Sequence, residues 1–500
     1  MWAPIAQGFG TILQPMPILF IFLGIVAGTI FGALPGISAS MAIALCLPFT
    51  YKMAPVISLA FMVAVFCAAV TGGGITAILF KIPGTPSSAC TVFDGYPLAT
   101  QGRAGEALGI SFVVSAIGGL FSAFAMLLIS PQLADVGLKF GPSEMFAVSL
   151  MGLSVLTCLE PDNMLKTMVS GLFGLFLATI GTDPIIGNVR LTFGFQSLLG
   201  GLDMIPIMIG TFALTEVFKQ ALNPNEIQID SKNEKVITKM MSFKQIYETK
   251  GTITRSAILG TIVGILPGAG STIASFLSYV TEVRLSKHPE RYGKGEIRGI
   301  VASETANNAA TGGSMVPLLS LGIPGGNAAA IMMSALLIQG VQLGPMLQKT
   351  RPEFLTSVYV SMIVTNILMV FVAIAVAAVF SKIMKVPYSI LGSMIVMFAI
   401  IGSFAVKNNI NDVYTMLIAG VIGYAFNKYN FNAAALILGL VLGNICEANL
   451  RRAIKLTNGD IVAVVSRPIT AVLLIFCVVA LLFPIIKQHF FSKKTDNLPG

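Results

Sequence analysis

The chain has 500 residues, of which 31 are Lys or Arg and 22 are Asp or Glu, a charge fraction of 11%; an ordinary soluble domain carries about 25%. With 55% apolar residues and a mean hydropathy of +0.85, so few charges could not cover a soluble enzyme of this size. The composition predicts an all-α, polytopic membrane protein.

The first apolar stretch covers about 12–34. No basic residue precedes Lys52, so it lacks the charged start of a cleavable leader and is expected to stay as a span. Further apolar segments run over about 38–50, 56–82, 107–130, 144–158, 165–181 and 197–218. They resume over about 253–266, 271–281, 299–318, 327–348, 354–380, 388–406, 412–426, 432–446 and 467–486. Roughly 10–14 membrane segments are expected, several too short to cross alone and many broken by Gly and Pro. Irregular backbone survives at membrane depth only where protein buries it or a polar cavity hydrates it, so the broken segments point to a cavity-lining site. Residues 223–255 hold 10 charges and 282–298 hold 8. The first stretch divides the chain into a membrane unit at 1–222, a charged linker at 223–252 and a second membrane unit, with extra C-terminal spans, at 253–500.

Three short motifs occur in both units in the same order. Leu34-Pro35-Gly36 returns as Leu266-Pro267-Gly268, Thr71-Gly72-Gly73 as Thr311-Gly312-Gly313, and Ile82-Pro83-Gly84 as Ile323-Pro324-Gly325, at offsets of 232, 240 and 241. The nearly constant spacing predicts an internal repeat with Pro-Gly-broken helices or re-entrant hairpins. Arg284, Lys287, Arg291, Lys294 and Arg298 follow the second Leu-Pro-Gly segment, which places that loop in the cytoplasm. The corresponding loop of the first unit has only Lys52, and this asymmetry suggests that the repeats are inverted. Lys487, Lys493 and Lys494 put the C-terminal tail in the cytoplasm too. The same positive-inside bias accounts for the net charge of +9 without nucleic acid.

Several chemistries are excluded. His288 lies in a basic loop and His489 near the C-terminus, which leaves no intramembrane zinc ligands or Ser–His pair. Asp183 and Asp203 stand beside polar and turn residues rather than facing each other within spans. No phosphate-binding G-x-x-x-x-G-K-[ST] occurs. Cys46, Cys67, Cys90, Cys158, Cys446 and Cys477 form no C-x-x-C and read as small packed hydrophobes. No enzyme constellation remains, and no cofactor is expected.

Each Pro-Gly element should end one helix and start another, exposing unpaired N–H groups and the positive end of a helix dipole. Small polar residues follow: Gly36 with Ser38 and Ser40; Gly84 with Thr85, Ser87 and Ser88; Gly268 and Gly270 with Ser271 and Thr272; Gly325 and Gly326 with Asn327. Four such termini would bind a carboxylate without a buried arginine; close helix packing is the alternative use of the same small residues. Thr71, Glu304, Asn307, Asn308 and Thr311 offer oxygens beside glycine-broken backbone for a coupling Na⁺ or H⁺. A capping role for Glu304 near the surface is the alternative. The polar stretch from Asp94-Gly95-Tyr96-Pro97 to Glu106 reads as an inter-helix loop, with a docking or gating element as the alternative. Glu447 and Arg451 have the i, i+4 spacing of a structural ion pair.

The runs 71–79, Ile82-Pro83-Gly84-Thr85-Pro86-Ser87-Ser88, Asp94-Gly95-Tyr96-Pro97 and 101–109 resemble the large membrane subunit of tripartite tricarboxylate transporters, the TctA family. Leu34-Pro35-Gly36, 266–271 and Glu304-Thr305-Ala306-Asn307-Asn308-Ala309 are similar to further motifs of that family, and the resemblance covers essentially the whole chain. It implies a bacterial inner-membrane permease working with a small membrane subunit and a periplasmic solute-binding protein. It also implies import of citrate or related carboxylates on a Na⁺ or H⁺ gradient. Where the family motif carries an aromatic shortly before its Gly-Gly, this chain has Ala68-Ala69-Val70, which bears on substrate preference. The competing readings are a stand-alone permease or channel for another small solute, and a membrane scaffold that moves nothing.

Overall fold

The computed structural model describes residues 2–34, 37–159, 163–183, 187–222, 237–267, 270–383 and 388–491. The first helices are α1 (Trp2–Ile12), α2 (Pro15–Ala33), α3 (Ala39–Cys46), α4 (Pro55–Phe80), α5 (Ala89–Leu98), α6 (Ala104–Gly137), α7 (Pro142–Leu159) and α8 (Met164–Ala178). A two-stranded antiparallel hairpin follows, β1 (Gly181–Thr182) with β2 (Val189–Arg190), in which Gly181 faces Arg190 and Thr182 faces Val189. Then come α9 (Met204–Ile209) and α10 (Thr215–Leu222). The remainder comprises α11 (Phe243–Ile265), α12 (Gly270–Leu285), α13 (Ile297–Leu321), α14 (Asn327–Ile338), α15 (Leu347–Thr350), α16 (Pro352–Ile383), α17 (Tyr388–Lys407), α18 (Ile410–Lys428), α19 (Ala433–Leu456), α20 (Ile461–Val465) and α21 (Pro468–Phe491).

The protein is thus an all-α membrane protein with a trace of sheet. Among the described residues, four helical stretches are long and apolar enough to cross a bilayer: Pro15–Ala33, Pro55–Phe80, Pro86–Gly137 and Pro352–Val379. Five shorter apolar helices accompany them. Helix starts follow local chemistry. Proline opens α2 and α4, where its missing N–H costs nothing. Ser38, Asp203, Asn409, Asn432 and Asp460 cap α3, α9, α18, α19 and α20 through their side-chain oxygens. Ser242 and Gln245 form a reciprocal capping box that starts α11 at Phe243, inside the charged segment expected as linker. Residues 223–236 of that segment lie outside the described residues.

The core is built around α4 and α13, which are almost wholly buried from Ser58 to Ile78 and from Gly299 to Ser320. α2 runs parallel to α4, and α11 runs parallel to α13. Their approach is close because glycine sits at each crossing: a Cβ on Gly32 would lie 2.0 Å from the Ala69 carbonyl oxygen, and one on Gly264 would lie 2.5 Å from that of Ala310. Large apolar side chains of α16, α18 and α21, among them Phe371, Ile418 and Val472, point outward as a lipid-facing surface requires.

The motif pairs have matching backbone geometry. Leu34 N–H bonds the Phe31 carbonyl at 3.1 Å, and Leu266 N–H bonds that of Val263 at 3.2 Å. α4 ends on Lys81 and α13 on Gly322, both left-handed with φ of 59° and 71°. Beyond them the chain doubles back along its own helix. Gly84 N–H donates to the Gly73 carbonyl at 3.2 Å, and Gly325 N–H donates to that of Ser314 at 3.3 Å. One expectation is corrected here. Gly72, Gly73, Gly312 and Gly313 do not break the backbone but lie inside continuous α4 and α13. Their role is close packing, since a Cβ on Gly72 would meet the Thr29 carbonyl oxygen at 2.5 Å and one on Gly313 that of Thr261 at 2.5 Å.

Candidate functional site

Glu304 lies two turns inside α13 and is fully buried, so it is not the surface cap of that helix; Glu296 is. Three elements bring donors to its carboxylate. The Thr91 hydroxyl of α5 donates to Oε1. The Ser115 hydroxyl of α6 donates to Oε2 at 3.2 Å, and Asn307 Nδ2, one turn along α13, donates to the same oxygen at 3.3 Å. None of the ion pairs among the described residues includes Glu304. Gly74 lets α4 approach: a Cβ there would stand 3.1 Å from Glu304 Oε1 and 2.9 Å from Ser111 Oγ. The Ser111 hydroxyl is itself buried with no hydrogen-bond partner among the described residues.

From Glu304 the polar groups continue along α13. Asn308 Nδ2 donates to Asn307 Oδ1 at 2.8 Å and to the Glu304 carbonyl at 3.2 Å. The Thr71 hydroxyl on α4 donates to Asn308 Oδ1 at 2.9 Å and also reaches Met369 Sδ of α16 at 3.2 Å. Thr311 Oγ1 donates to the Asn308 carbonyl at 2.7 Å and lies 3.5 Å from Cys67 Sγ. Asn307 Nδ2 also bonds the Ser87 carbonyl at 3.3 Å, joining α13 to the Pro-Gly turn after α4. All five expected ion-site residues therefore form one buried network. Burying a carboxylate without a cation is costly unless donors hold the charge. This arrangement supplies three donors, and the group can accept a proton or a small cation in exchange for them.

The expected anion-site residues divide differently. Gly36 and Gly268 lie outside the described residues. Ser38 caps α3 by accepting from Met41 N–H, with Ser40 half-buried in its first turn. Thr85, Ser87 and Ser88 are buried and largely spent on one another: Thr85 Oγ1 is 3.0 Å from Ser87 Oγ, and Ser88 Oγ donates to the Thr85 carbonyl at 2.8 Å. Gly270 is left-handed at φ 64° and opens α12, with Ser271 and Thr272 half-buried behind it. Asn327 opens α14. Each turn packs on a helix of its own half of the chain: a Cβ on Gly84 would lie 2.2 Å from the Gly32 carbonyl oxygen of α2, one on Gly325 2.7 Å from that of Gly264 of α11, and one on Gly326 3.8 Å from Gly270 Cα.

Sequence reasoning missed Thr91, Ser115 and Met369 as parts of the Glu304 network. The signal on α6 was the i, i+4 pair Ser111 and Ser115 within an apolar run. The stretch at Asp94 is also not a loop. Asp94 through Pro97 lie in α5, and a π turn over Ala99–Arg103 leads into α6. Asp94 is fully buried and accepts from the backbone N–H groups of Gly293, Gly295 and Glu296. Gln101 Nε2 donates to the Lys294 carbonyl at 2.9 Å on the same side. In that loop, burial pushes the Tyr292 hydroxyl up to about 12. Glu447 and Arg451 form the expected i, i+4 pair on α19 at 2.7 Å and belong to a larger cluster that pins the β hairpin through Arg190 and Asp183. The described cysteines are all buried and free; Cys158 lies outside the residues whose side chains are described.

A family model described as the tripartite tricarboxylate transporter TctA family matches residues 18–438. An uncharacterized 52.8 kDa protein in the TAR-I ttuC' 3' region of Agrobacterium vitis is 38% identical over 487 residues, covering 97% of each chain. An uncharacterized protein in the TAR-II ttuC' 3' region of the same organism is 38% identical over 232 residues, covering 46% of this chain and 96% of its own. No solved structure matches the chain.

Proposed function

The chain belongs to the tripartite tricarboxylate transporter TctA family, and from that premise we propose that it is the permease subunit of a carboxylate importer driven by a Na⁺ or H⁺ gradient. Glu304 is the coupling group, with Asn307, Asn308, Thr71 and Thr311 around it. The observation that carries this reading is a fully buried carboxylate held by Thr91, Ser115 and Asn307, and by no Lys, Arg or His among the described residues, at the place where α4, α5, α6 and α13 meet. A buried carboxylate with a purely structural role is ordinarily paired with Lys or Arg, whereas intramembrane acids mark ion or proton pathways.

The matched geometry at Leu34 and Leu266, at Lys81 and Gly322, and at Gly84 and Gly325 supports a duplicated unit. The basic loop at 284–298 supports an inverted arrangement with that loop in the cytoplasm. The solute carboxylates bind near Ser38, Ser271, Thr272 and Asn327, whose helices α3, α12 and α14 start at three of the four Pro-Gly breaks. The partners are a small membrane subunit and a periplasmic solute-binding protein, and the membrane is the bacterial inner membrane. The test is uptake of radiolabelled citrate and dicarboxylates into proteoliposomes holding this chain and its small partner, under imposed Na⁺ or pH gradients. Accumulation that requires the binding protein supports the proposal. Accumulation without it favours a stand-alone permease, and no uptake by folded protein removes the substrate assignment.

A further inference from the structure

Asp94 makes more hydrogen bonds than packing alone would need. Its Oδ1 accepts from the backbone N–H groups of Gly293 at 2.8 Å, Gly295 at 3.0 Å and Glu296 at 2.9 Å, and its Oδ2 accepts from the Tyr279 hydroxyl at 2.9 Å. Gly293 and Gly295 have φ of 78° and 101°. Left-handed residues spaced along a turn aim successive N–H groups at one point, and such a concavity binds anions. This one is built by the loop between α12 and α13 but is filled by a side chain of α5, from the other half of the chain.

A groove of about 610 Å³ opens beside it, lined among others by Lys81, Tyr96, Thr100, Tyr279, Tyr292 and Gly293. Tyr279 and Gly293 therefore border the groove and also bind Asp94. Lys81 Nζ stands 5.8 Å above the Tyr96 ring at the same groove. A carboxylate in the turn would meet the same four donors that Asp94 meets, and the Lys81 ammonium lines the adjoining groove.

We infer that the 293–296 turn with Tyr279 is a carboxylate-binding site, occupied by Asp94 as a tethered ligand in this conformation and open to a free carboxylate when α5 moves away. α5 also carries Thr91, one turn before Asp94, whose hydroxyl holds Glu304. Rearrangement at Glu304 and release of the 293–296 turn are thereby linked through a single helix. That the natural occupant is the transported solute rests on the proposed function; the receptor chemistry does not.

The test is amide hydrogen exchange of peptides covering 286–299, read by mass spectrometry on the full chain, so that it does not depend on transport. Asp94→Gly raises exchange at 293–296 about tenfold or more, as expected for loss of charge-assisted hydrogen bonds. Formate restores the protection and chloride does not. Asp94→Asn keeps an acceptor in the turn, so formate has no effect on it. If Asp94→Gly does not fold alone, purification in formate followed by its removal gives the same comparison. Fast exchange that formate does not reverse, in a variant that melts like the wild type, overturns the site. Equal rescue by chloride overturns its carboxylate character. Protection of Asp94→Gly by citrate or a dicarboxylate at lower concentration than formate assigns the transported solute as occupant; protection by formate alone removes that occupant.

Discussion

The hydroxyl of Thr71 on α4 donates to Oδ1 of Asn308 on α13 across 2.9 Å, although 237 residues separate them in the chain. Thr71 opens the Thr-Gly-Gly of the first half, and Asn308 precedes by three residues the Thr311 that opens the same motif in the second. The first motif thus bonds the helix turn just before the second, beside a buried carboxylate. A rearrangement of either half must remake this contact.

Thr71→Val and Asn308→Ala should each destabilise the fold, since each strands a buried partner at a cost of about 1–3 kcal/mol. Their coupling should be smaller, about 0.6 and at most about 1.7 kcal/mol, because polar groups unfolded within a membrane find other partners. A double-mutant cycle on thermal unfolding in detergent measures it. A coupling of zero would show that the contact contributes nothing to the fold.

Gly84→Ala and Gly325→Ala should both destabilise by about 1–3 kcal/mol or more, because the atom nearest the added carbon is backbone in each case. The offending atoms are the Gly32 carbonyl oxygen at 2.2 Å and Ser314 Cα at 2.6 Å. Gly10→Ala, which meets nothing within 4 Å, should melt like the wild type. Equal melting temperatures for all three would contradict the close packing at the turns.

Arg103 donates to both oxygens of Glu106 at 2.9 Å, and Gln245 Nε2 adds a third bond. Glu106→Gln breaks the two-pronged pair with Arg103 and should therefore melt somewhat lower than the wild type. Equal melting temperatures would show that the pair adds nothing to the fold.

The membrane class, the helix ends at Pro-Gly and the clustering of Thr71, Glu304, Asn307, Asn308 and Thr311 were legible in the sequence, since composition and motif spacing depend on local chemistry. The glycines at 312 and 313 were misread, because a glycine that breaks a helix and one that lets a neighbouring helix approach look alike until the Thr261 carbonyl is placed against Gly313. Asp94 was equally opaque. Its surroundings are rich in Gly and Pro, which suggested a loop, yet its partners lie about 200 residues on. Thr91 and Ser115 are ordinary polar residues in apolar helices, and only the fold directs them at Glu304.

The most direct test compares wild type and Glu304→Gln in proteoliposomes for gradient-driven carboxylate accumulation and for solute exchange without a gradient. Gln keeps the shape and some of the hydrogen bonds but cannot carry a proton or balance a cation. Glu304→Gln should lose accumulation and retain exchange. Accumulation by Glu304→Gln at the wild-type rate would contradict the assignment of Glu304 as the coupling group.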